Sequence, residues 1–255
     1  MNATAKTGKV VIRAANHIVD LLVLTVILLL LAFGCYAMWD SNQIHNAASS
    51  VRYERYKPTI EDDGAGFKHL QTLNPDVIAW LTVYGTNIDY PLVQGRDNIK
   101  YVNTNAEGRH SLSGAIFLDY RNNPDFMDFN SILYGHHMEN RVMFGEITSF
   151  ANTDYFNARR YGMLVADGQM YGLEFFAYVH SDANDTRVFR VNITGNEGKQ
   201  NYLDMLMDMA IITRDVPVTA NDRIVLLSTC SPNSTNGRDI LVGRIIDTVP
   251  DDPFK

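Results

Sequence analysis

The feature that most constrains this chain is an apolar run of 22 residues, 18–39, near its N-terminus. At about 1.5 Å of rise per residue, a helix of that length is long enough to cross the hydrocarbon core of a bilayer. Asp20 is its only charged residue, and Tyr36 and Trp39 lie near its far end, where interfacial aromatic residues are common. The run predicts an uncleaved membrane anchor, because a signal peptide usually has an apolar core of only about 7–15 residues.

The residues that flank this run indicate its orientation. Lys6, Lys9 and Arg13 precede it, with no acidic residue among them. Basic residues favour the cytoplasmic side of a membrane span, so we expect a cytoplasmic N-terminus and an extracellular remainder. The predicted organisation is a cytoplasmic segment (1–17), a transmembrane anchor (18–39), a helical stalk or linker (40–66) and a folded domain (67–255).

Charge and cysteine content exclude several classes of protein. The formal net charge is −7, whereas a nucleic-acid-binding protein usually has a basic surplus, so we expect no nucleic-acid partner. Only two cysteines are present, Cys35 in the apolar run and Cys230 near the C-terminus. Two cysteines in such different settings predict neither a disulfide framework nor a cysteine-rich zinc site. Cys230 is then an unpaired thiol outside the cell.

The domain beyond residue 83 has the pattern of an all-β fold. Short β-prone runs recur there, separated by turn residues, at 88–93, 114–118, 131–134, 161–166, 170–180, 187–191, 224–229 and 240–246. Asp167-Gly168 lies between two of these runs and is a hairpin-turn signal. About eight short strands with irregular connections predict a closed or nearly closed β-barrel.

Helices are predicted around this barrel. The candidate segments are 42–56, 67–73, a short helix that starts at Asn74-Pro75-Asp76 and runs to Trp80, 143–150 and 198–214. In the last of these, Leu203, Leu206, Met207 and Ile211 fall on one face at helical spacing. We interpret that stripe as packing against the barrel.

Cys230 is the first candidate for chemistry. It ends an apolar stretch, residues 225–229 (VLLST), and a polar loop, 231–237, separates it from the next β-prone run. A strand end holds a thiol on a rigid element while the loop leaves it accessible, and a thiol nucleophile needs both. The alternative interpretation is a small buried hydrophobic residue, which is common for free cysteine.

A histidine pair is the second candidate. Gly135-His136-His137 follows the β-prone run 131–134, and histidine is the usual proton carrier near neutral pH. The alternatives are surface or structural histidines and a metal site. Adjacent residues of a strand point to opposite faces, and no second cluster has the spacing of metal ligands, so we expect no metal.

Arg238 is the third candidate. It follows Cys230 by eight residues, so a loop that folds back would start the next strand beside the thiol. A guanidinium there could stabilise a carbonyl oxyanion, whereas the alternative is a solvated arginine at a strand end. Arg244 lies six residues further along the same run, roughly 20 Å away, which is too far to share the site.

In chain order, Gly135-His136, Thr229-Cys230 and Arg238 resemble the motifs of the sortases, and of class B in particular. Further similar segments are 74–81 (NPDVIAWL), 90–95 (YPLVQG), 98–103, 114–119 (GAIFLD) and 143–145 (MFG). The resemblance covers residues 67–246; the long helix before the Cys230 strand and the anchored N-terminus point to class B. It implies a mainly β fold: a closed eight-stranded β-barrel with N-terminal helices and an inserted helix before the catalytic strand, after a transmembrane helix.

The resemblance also implies a cysteine transpeptidase without a cofactor. Cys230 would attack the threonine carbonyl of a C-terminal sorting motif in a secreted protein and form a thioester. His136 would act as general acid and base, and Arg238 would hold the oxyanion or the substrate carbonyl. Family geometry favours His136, directly after the glycine, over His137.

The resemblance leaves the acceptor and parts of the groove open. The acceptor would be an amine of cell-wall peptidoglycan or, in a pilin-polymerising enzyme, an amine of a pilin subunit. Thr229, Ser228 and Tyr134 are candidates for the substrate groove, with strand-end packing as the alternative. A cysteine hydrolase would use the same residues with water as acceptor, and a non-catalytic barrel that binds cell-wall ligands is the remaining hypothesis.

Overall fold

The computed structural model describes residues 3–59 and 64–254, which form two compact units, Met1–Ile44 and His45–Lys255. Residues 3–44 of the first unit lie in helix α1 (Ala3–Ala48). Its segment Asn16–Gln43 is long and apolar enough to cross a membrane, and all of its hydrophobic window is exposed. An N-terminal helix that could span a membrane was predicted from residues 18–39, and the structure confirms it.

The second unit contains short helices and nine strands among its described residues. The helices are a 3-10 helix (Ser50–Tyr56), α2 (Ala65–Leu73), α3 (Thr153–Ala158) and α4 (Asn196–Met209), with further 3-10 turns at Lys100–Val102, Glu139–Arg141 and Ile147–Ala151. The strands are β1 (Val77–Val83), β2 (Asp89–Val93), β3 (Ile116–Leu118), β4 (Asn130–Tyr134), β5 (Tyr161–Ala166), β6 (Gln169–Asp182), β7 (Ala210–Thr213), β8 (Arg223–Cys230) and β9 (Gly237–Ile246).

Eight of these strands close into a barrel. Their order is β5-β1-β2-β3-β4-β8-β9-β6, and pairing of β5 with β6 completes the ring. The first half of β6 pairs with β5, and β7 joins the same edge further along, so it is a ninth strand outside the ring. Pairs β2–β3 and β4–β8 are parallel, and the others are antiparallel. The predicted closed eight-stranded barrel is confirmed.

Alternation along the strands separates two hydrophobic layers. Inward-facing Val225, Leu227 and Leu241 join the barrel core with Trp80 and Phe175. Their neighbours on the strands face outward and pack under α4 and the loop that precedes it, in a second cluster that includes Ile224, Leu226, Ile240, Val242, Tyr202, Leu203 and Leu206. Because successive strand residues point to opposite faces, β8 is apolar on both sides.

The predicted short helix from Asn74 to Trp80 is wrong. Helix α2 ends at Leu73, the amide of Asn74 donates to Leu70 O, and the chain then enters β1. Asn74 has extended backbone angles, as expected for a residue before proline. Since β1 pairs with both β2 and β5, the ladders on its two edges override the local preference for a helix start.

The segment 187–191, predicted as a strand, forms turns instead. The carbonyls of Val188, Phe189 and Arg190 accept hydrogen bonds from side chains of other elements rather than from a neighbouring strand. These donors satisfy the backbone without a ladder, which a pattern of β-branched and aromatic residues cannot reveal.

The helix predicted at 198–214 is also too long. Helix α4 ends at Met209, and β-branched residues then pair as β7 with β6. Leu203 and Leu206 are buried as expected, whereas Met207 and Ile211 are exposed. Of the other predicted helices, 67–73 lies within α2, 42–56 divides into the end of α1 and a 3-10 helix, and 143–150 shortens to Ile147–Ala151.

A buried carboxylate links the 3-10 helix Ser50–Tyr56 to the loop before β3. Glu107 accepts hydrogen bonds from Arg52 (2.8 Å), Arg55 (3.1 Å), Tyr56 (3.1 Å) and Arg109, and its side chain is only 2% exposed. Burial opposes ionisation, but the hydrogen bonds from Arg52 and Arg109 outweigh it and lower the pKa of Glu107 from 4.5 to about 2. The folded protein therefore stabilises the ionised form of Glu107 more than the unfolded chain does.

Replacement Glu107→Gln tests this link. Because the pKa of Glu107 is lower in the folded protein, its ionised form adds stability. This contribution is complete above the pKa of the unfolded chain, 4.5, and is lost as pH falls towards the folded value of about 2. Because the arginine partners are partly exposed, we expect the variant to lose about 1–2 kcal/mol of unfolding free energy near pH 7. That difference should shrink below about pH 4.5, measured by denaturant unfolding. Glu54→Gln, at an exposed position of the same helix, is the control, and a difference independent of pH would contradict the assignment.

Candidate active site

Strand pairing brings the ends of three strands together. Because β4 and β8 are parallel, with Tyr134 opposite Ser228, the residues that follow these two positions lie at the same edge of the barrel. The amide of Gly135 extends the ladder by donating to Ser228 O at 3.1 Å. The antiparallel ladder between β8 and β9 places Cys230 directly opposite Arg238.

These strand ends share a cavity of about 380 Å³, here called the reactive cavity. All six predicted site residues line it: Cys230, His136, Arg238, Thr229, Ser228 and Tyr134. Its remaining walls are Gly135, Asn98, Val102, Phe117, Ala183 and Phe189. Cys230 is exposed, so its thiol is open to a peptide in this cavity rather than buried in the core.

The two residues before Cys230 have different environments because successive strand residues alternate between faces. Thr229 donates from Oγ1 to Gly135 O at 2.9 Å, which ties the Cys230 strand to the glycine before His136. Ser228 lies on the same face as Cys230, and its buried Oγ has no hydrogen-bond partner among the described residues. Ser228 therefore lines the cavity with a buried hydroxyl that no described residue satisfies, whereas the hydroxyl of Thr229 holds the strand ends together.

His136 is half-buried and fixed by one ring nitrogen. Its Nε2 lies 2.8 Å from Val102 O, and since a carbonyl only accepts, Nε2 carries a hydrogen. Nδ1 remains for proton exchange. His137 does not line the cavity, and it forms an isolated β-bridge with Met143.

Arg238 has its charge available. Its Nη1 donates to Gly237 O at 3.0 Å, and no carboxylate among the described residues forms an ion pair with it. Arg244 lies outside the reactive cavity, where it pairs with Glu174 at 2.7 Å and donates to Pro217 O at 2.8 Å. The structure therefore separates the two arginines as the sequence predicted.

A buried carboxylate, Asp119, organises one wall of the reactive cavity. It accepts from Asn98 (2.9 Å), Tyr134 (3.1 Å) and both Nε and Nη2 of Arg121 (2.8 and 2.7 Å). Burial opposes ionisation of Asp119, but its hydrogen bonds with Arg121 and Asn98 outweigh burial and lower its pKa. Burial and the Asp119 charge raise the pKa of Tyr134, so the phenol remains protonated and donates.

Loop 183–192, which contributes Ala183 and Phe189 to the cavity, is held through three consecutive carbonyls. Tyr202 on α4 donates to Val188 O at 2.5 Å, and Arg121 donates to Phe189 O at 3.2 Å. Asn130 in β4 donates to Arg190 O at 2.7 Å. The ring of Phe189, 6.2 Å from that of Tyr134, therefore has a fixed position in the cavity wall.

Sequence reasoning did not select Asn98, Val102, Phe117, Ala183 or Phe189 as site residues. They come from loops and strands far apart in the chain and carry no chemical signature of their own. Asn98 and Val102 lie in the family-like segment 98–103, and Phe117 lies in another, 114–119, which is the one signal that could have identified them. Among the described residues, no three His, Cys, Asp or Glu side chains are placed to hold a metal ion.

The exposure of Cys230 predicts its reactivity in the folded protein. In the full chain carrying Cys35→Ala, a maleimide should label one thiol per chain without denaturant, because Cys230 is exposed. Mass spectrometry of the intact protein measures the added mass, and the chain that also carries Cys230→Ala is the control. Labelling that begins only after unfolding would show that the thiol is buried.

Comparisons with known proteins agree with this geometry. The sortase-domain family model matches residues 81–246. The chain is 32% identical over 181 residues to a sortase B of Listeria monocytogenes, an alignment that covers 70% of this chain and 73% of the relative.

Solved structures give the same assignment. A sortase B from the type II pilus of Streptococcus pneumoniae is 48% identical with a TM-score of 0.64, and the match covers 72% of this chain and 100% of that one. A Staphylococcus aureus sortase B–substrate complex is 27% identical with a TM-score of 0.73, over 81% of this chain and 98% of that one. This chain therefore belongs to the sortase family of cysteine transpeptidases, and its structural neighbours are class B sortases.

Proposed function

We propose that this chain cleaves a C-terminal sorting motif of secreted proteins at a threonine carbonyl and transfers the acyl group to an amine, with Cys230 as nucleophile. The observation that carries the proposal is the reactive cavity, in which the Cys230 thiol, the His136 imidazole and the unpaired Arg238 guanidinium lie together. A nucleophile, a proton carrier and a cation are the groups that acyl transfer requires.

In the first half-reaction, the Cys230 thiol gives its proton to His136 as the sulfur attacks the threonine carbonyl carbon, and the carbonyl oxygen becomes an oxyanion. Arg238, directly opposite Cys230 on β9, stabilises that charge. His136 protonates the departing amine, the C–N bond breaks, and a thioester with Cys230 remains. Ser228 and Tyr134 form part of the groove wall for the peptide, while Thr229 keeps the strand ends in register.

In the second half-reaction, an amine attacks the thioester carbon. His136 accepts the proton from the attacking nitrogen, the C–S bond breaks, and the Cys230 thiolate is released. A thioester reacts well with amines, so a cysteine enzyme suits transfer to an amine better than a serine enzyme does. Two alternatives remain. A hydrolase would use the same residues with water in place of the amine, and a non-catalytic barrel would carry out neither half-reaction.

The helix Asn16–Gln43 supports the proposed location. It would anchor the enzyme in the cell membrane, with the basic N-terminal residues in the cytoplasm and the barrel outside. There the enzyme meets both secreted substrates and cell-wall precursors. An amine of peptidoglycan is the first candidate for the acceptor.

A pilin amine is the second candidate acceptor, and one observation favours it. The chain is 48% identical to the pneumococcal sortase B from a type II pilus and 40% identical to a class B sortase of Streptococcus pyogenes involved in pilus biogenesis. Its identity to the curated sortase B proteins of Listeria monocytogenes and Staphylococcus aureus is only 32% and 31%. Joining pilin subunits would use the same two half-reactions with a lysine side chain as acceptor.

Replacement of the three groups tests the mechanism. With a threonine-containing peptide found by screening a pentapeptide library, Cys230→Ala should form no thioester and no product. His136→Ala should lower kcat/KM about 10²- to 10⁴-fold, and Arg238→Lys about 10²-fold through weaker oxyanion binding. Product release and the acyl-enzyme mass are the measurements, and Cys35→Ala is the control. Full transpeptidation by Cys230→Ala would contradict the assignment and leave a binding barrel.

The acceptor is tested by product analysis. Without added amine, cleavage of the same peptide should be slow, because the thioester awaits an acceptor. Oligoglycine should be the better acceptor for a peptidoglycan-anchoring enzyme, and a lysine-containing peptide for a pilin-joining one, as mass spectrometry of the ligated products would show. Rapid release of free acid, unaffected by either amine, would instead identify a hydrolase.

A further inference from the structure

A second cavity adjoins the reactive cavity on the far side of loop 183–192. It has a volume of about 340 Å³ and shares two lining residues, Ala183 and Phe189, with the cavity that contains Cys230. Its other walls include Arg121, Arg190 and Asn192. A peptide of a few residues in extended conformation, at roughly 3.3 Å per residue, can therefore contact both cavities at once.

The second cavity has a surplus of positive charge. Arg190 is exposed and forms no ion pair with any described residue. Arg121 is fixed by Asp119 through Nε and Nη2, which neutralises its charge but leaves Nη1 without a described partner. The nearby Arg187 is paired with Asp185 at 2.6 Å and lies outside both cavities. One uncompensated charge and the polar Asn192 thus line this space.

The cavity is also pre-formed. The carbonyls of Val188, Phe189 and Arg190 are held by Tyr202, Arg121 and Asn130, as described for the loop wall. A ligand that binds here does not need to order this backbone, so less of its binding energy is lost to conformational entropy.

We propose that the second cavity is a carboxylate subsite, in which Arg190 binds a carboxylate of one of the two peptides that the enzyme joins. A single uncompensated guanidinium matches a monoanion better than a phosphate dianion, and arginine binds carboxylates with paired N–H donors. The subsite rests on the proposed function, because it adds a contact to a peptide whose reacting group lies at Cys230. The carboxylate belongs either to an acidic residue beside the sorting motif or to the acceptor.

Matched pairs of peptides distinguish these two sources. The donor is the pentapeptide found by screening, flanked by Glu or by Gln, and the acceptor is triglycine or triglycinamide. The full chain should prefer one carboxylate peptide about two- to fivefold in kcat/KM, as expected for one exposed charge pair. Arg190→Gln should reduce this ratio to about one, Arg190→Lys should restore part of it, and high salt should weaken it. Arg187→Gln, on the same loop but already paired with Asp185, should keep the wild-type ratio.

Two results would overturn the subsite: equal kcat/KM for carboxylate and amide peptides in the wild-type chain, or a preference that survives Arg190→Gln. Failure of the proposed function is a different result, in which the wild-type chain ligates no peptide. In that case the subsite is tested by comparing the Kd values of N-acetyl-triglycine and its amide for the Cys230→Ala chain. Tighter binding of the acid that is lost with Arg190→Gln supports the subsite, and equal binding rejects it.

Discussion

The parallel pairing of β4 with β8 is the constraint on which the rest of the site depends. Parallel strands end at the same edge of a sheet, so Gly135 and Thr229 come into hydrogen-bond contact although 94 positions separate them. The intervening chain builds the far side of the barrel and returns through β7. Closure between β5 and β6 then fixes β9, which delivers Arg238 to the position opposite Cys230.

Because side chains alternate along these strands, one face contributes residues to the cavity and the other contributes residues that hold the strands in place. Cys230 and Arg238 face outward into the reactive cavity, while their neighbours Thr229 and Asp239 face the barrel interior and bond to backbone or side chain there. The buried Asp239 lies 2.9 Å from Nδ1 of His180 on β6. Cys230 and Arg238 are therefore each adjacent to a residue that anchors the same strand, which limits the movement of these two strand ends.

The sequence predicts those parts of the site that depend on local sequence patterns, but not those that depend on contacts with distant segments. That Cys230, His136 and Arg238 lie around one cavity was predictable, because each follows or begins a strand in the local sequence pattern and their order resembles a known family. Phe189 was not, because its segment has the β-branched and aromatic composition of a strand, whereas three side chains from elsewhere hold it as a loop. Strand β1 was missed for a related reason: its partners on both edges, not its own sequence, determine its conformation.

Two groups of arginines in the barrel domain have different physical roles. Glu107, Asp119 and Glu174 are buried carboxylates whose pKa values are lowered because arginine hydrogen bonds outweigh the effect of burial. The Glu107 and Glu174 pairs join separate elements of the fold, whereas Asp119 and Arg121 lie two positions apart in one loop. Arg238 and Arg190 have no carboxylate partner among the described residues, and both line cavities. In a chain with a net charge of −7, a guanidinium left uncompensated beside a cavity keeps its electrostatic energy available for a ligand. The paired arginines thus account for the stability of the walls, and the unpaired ones for what the walls can bind.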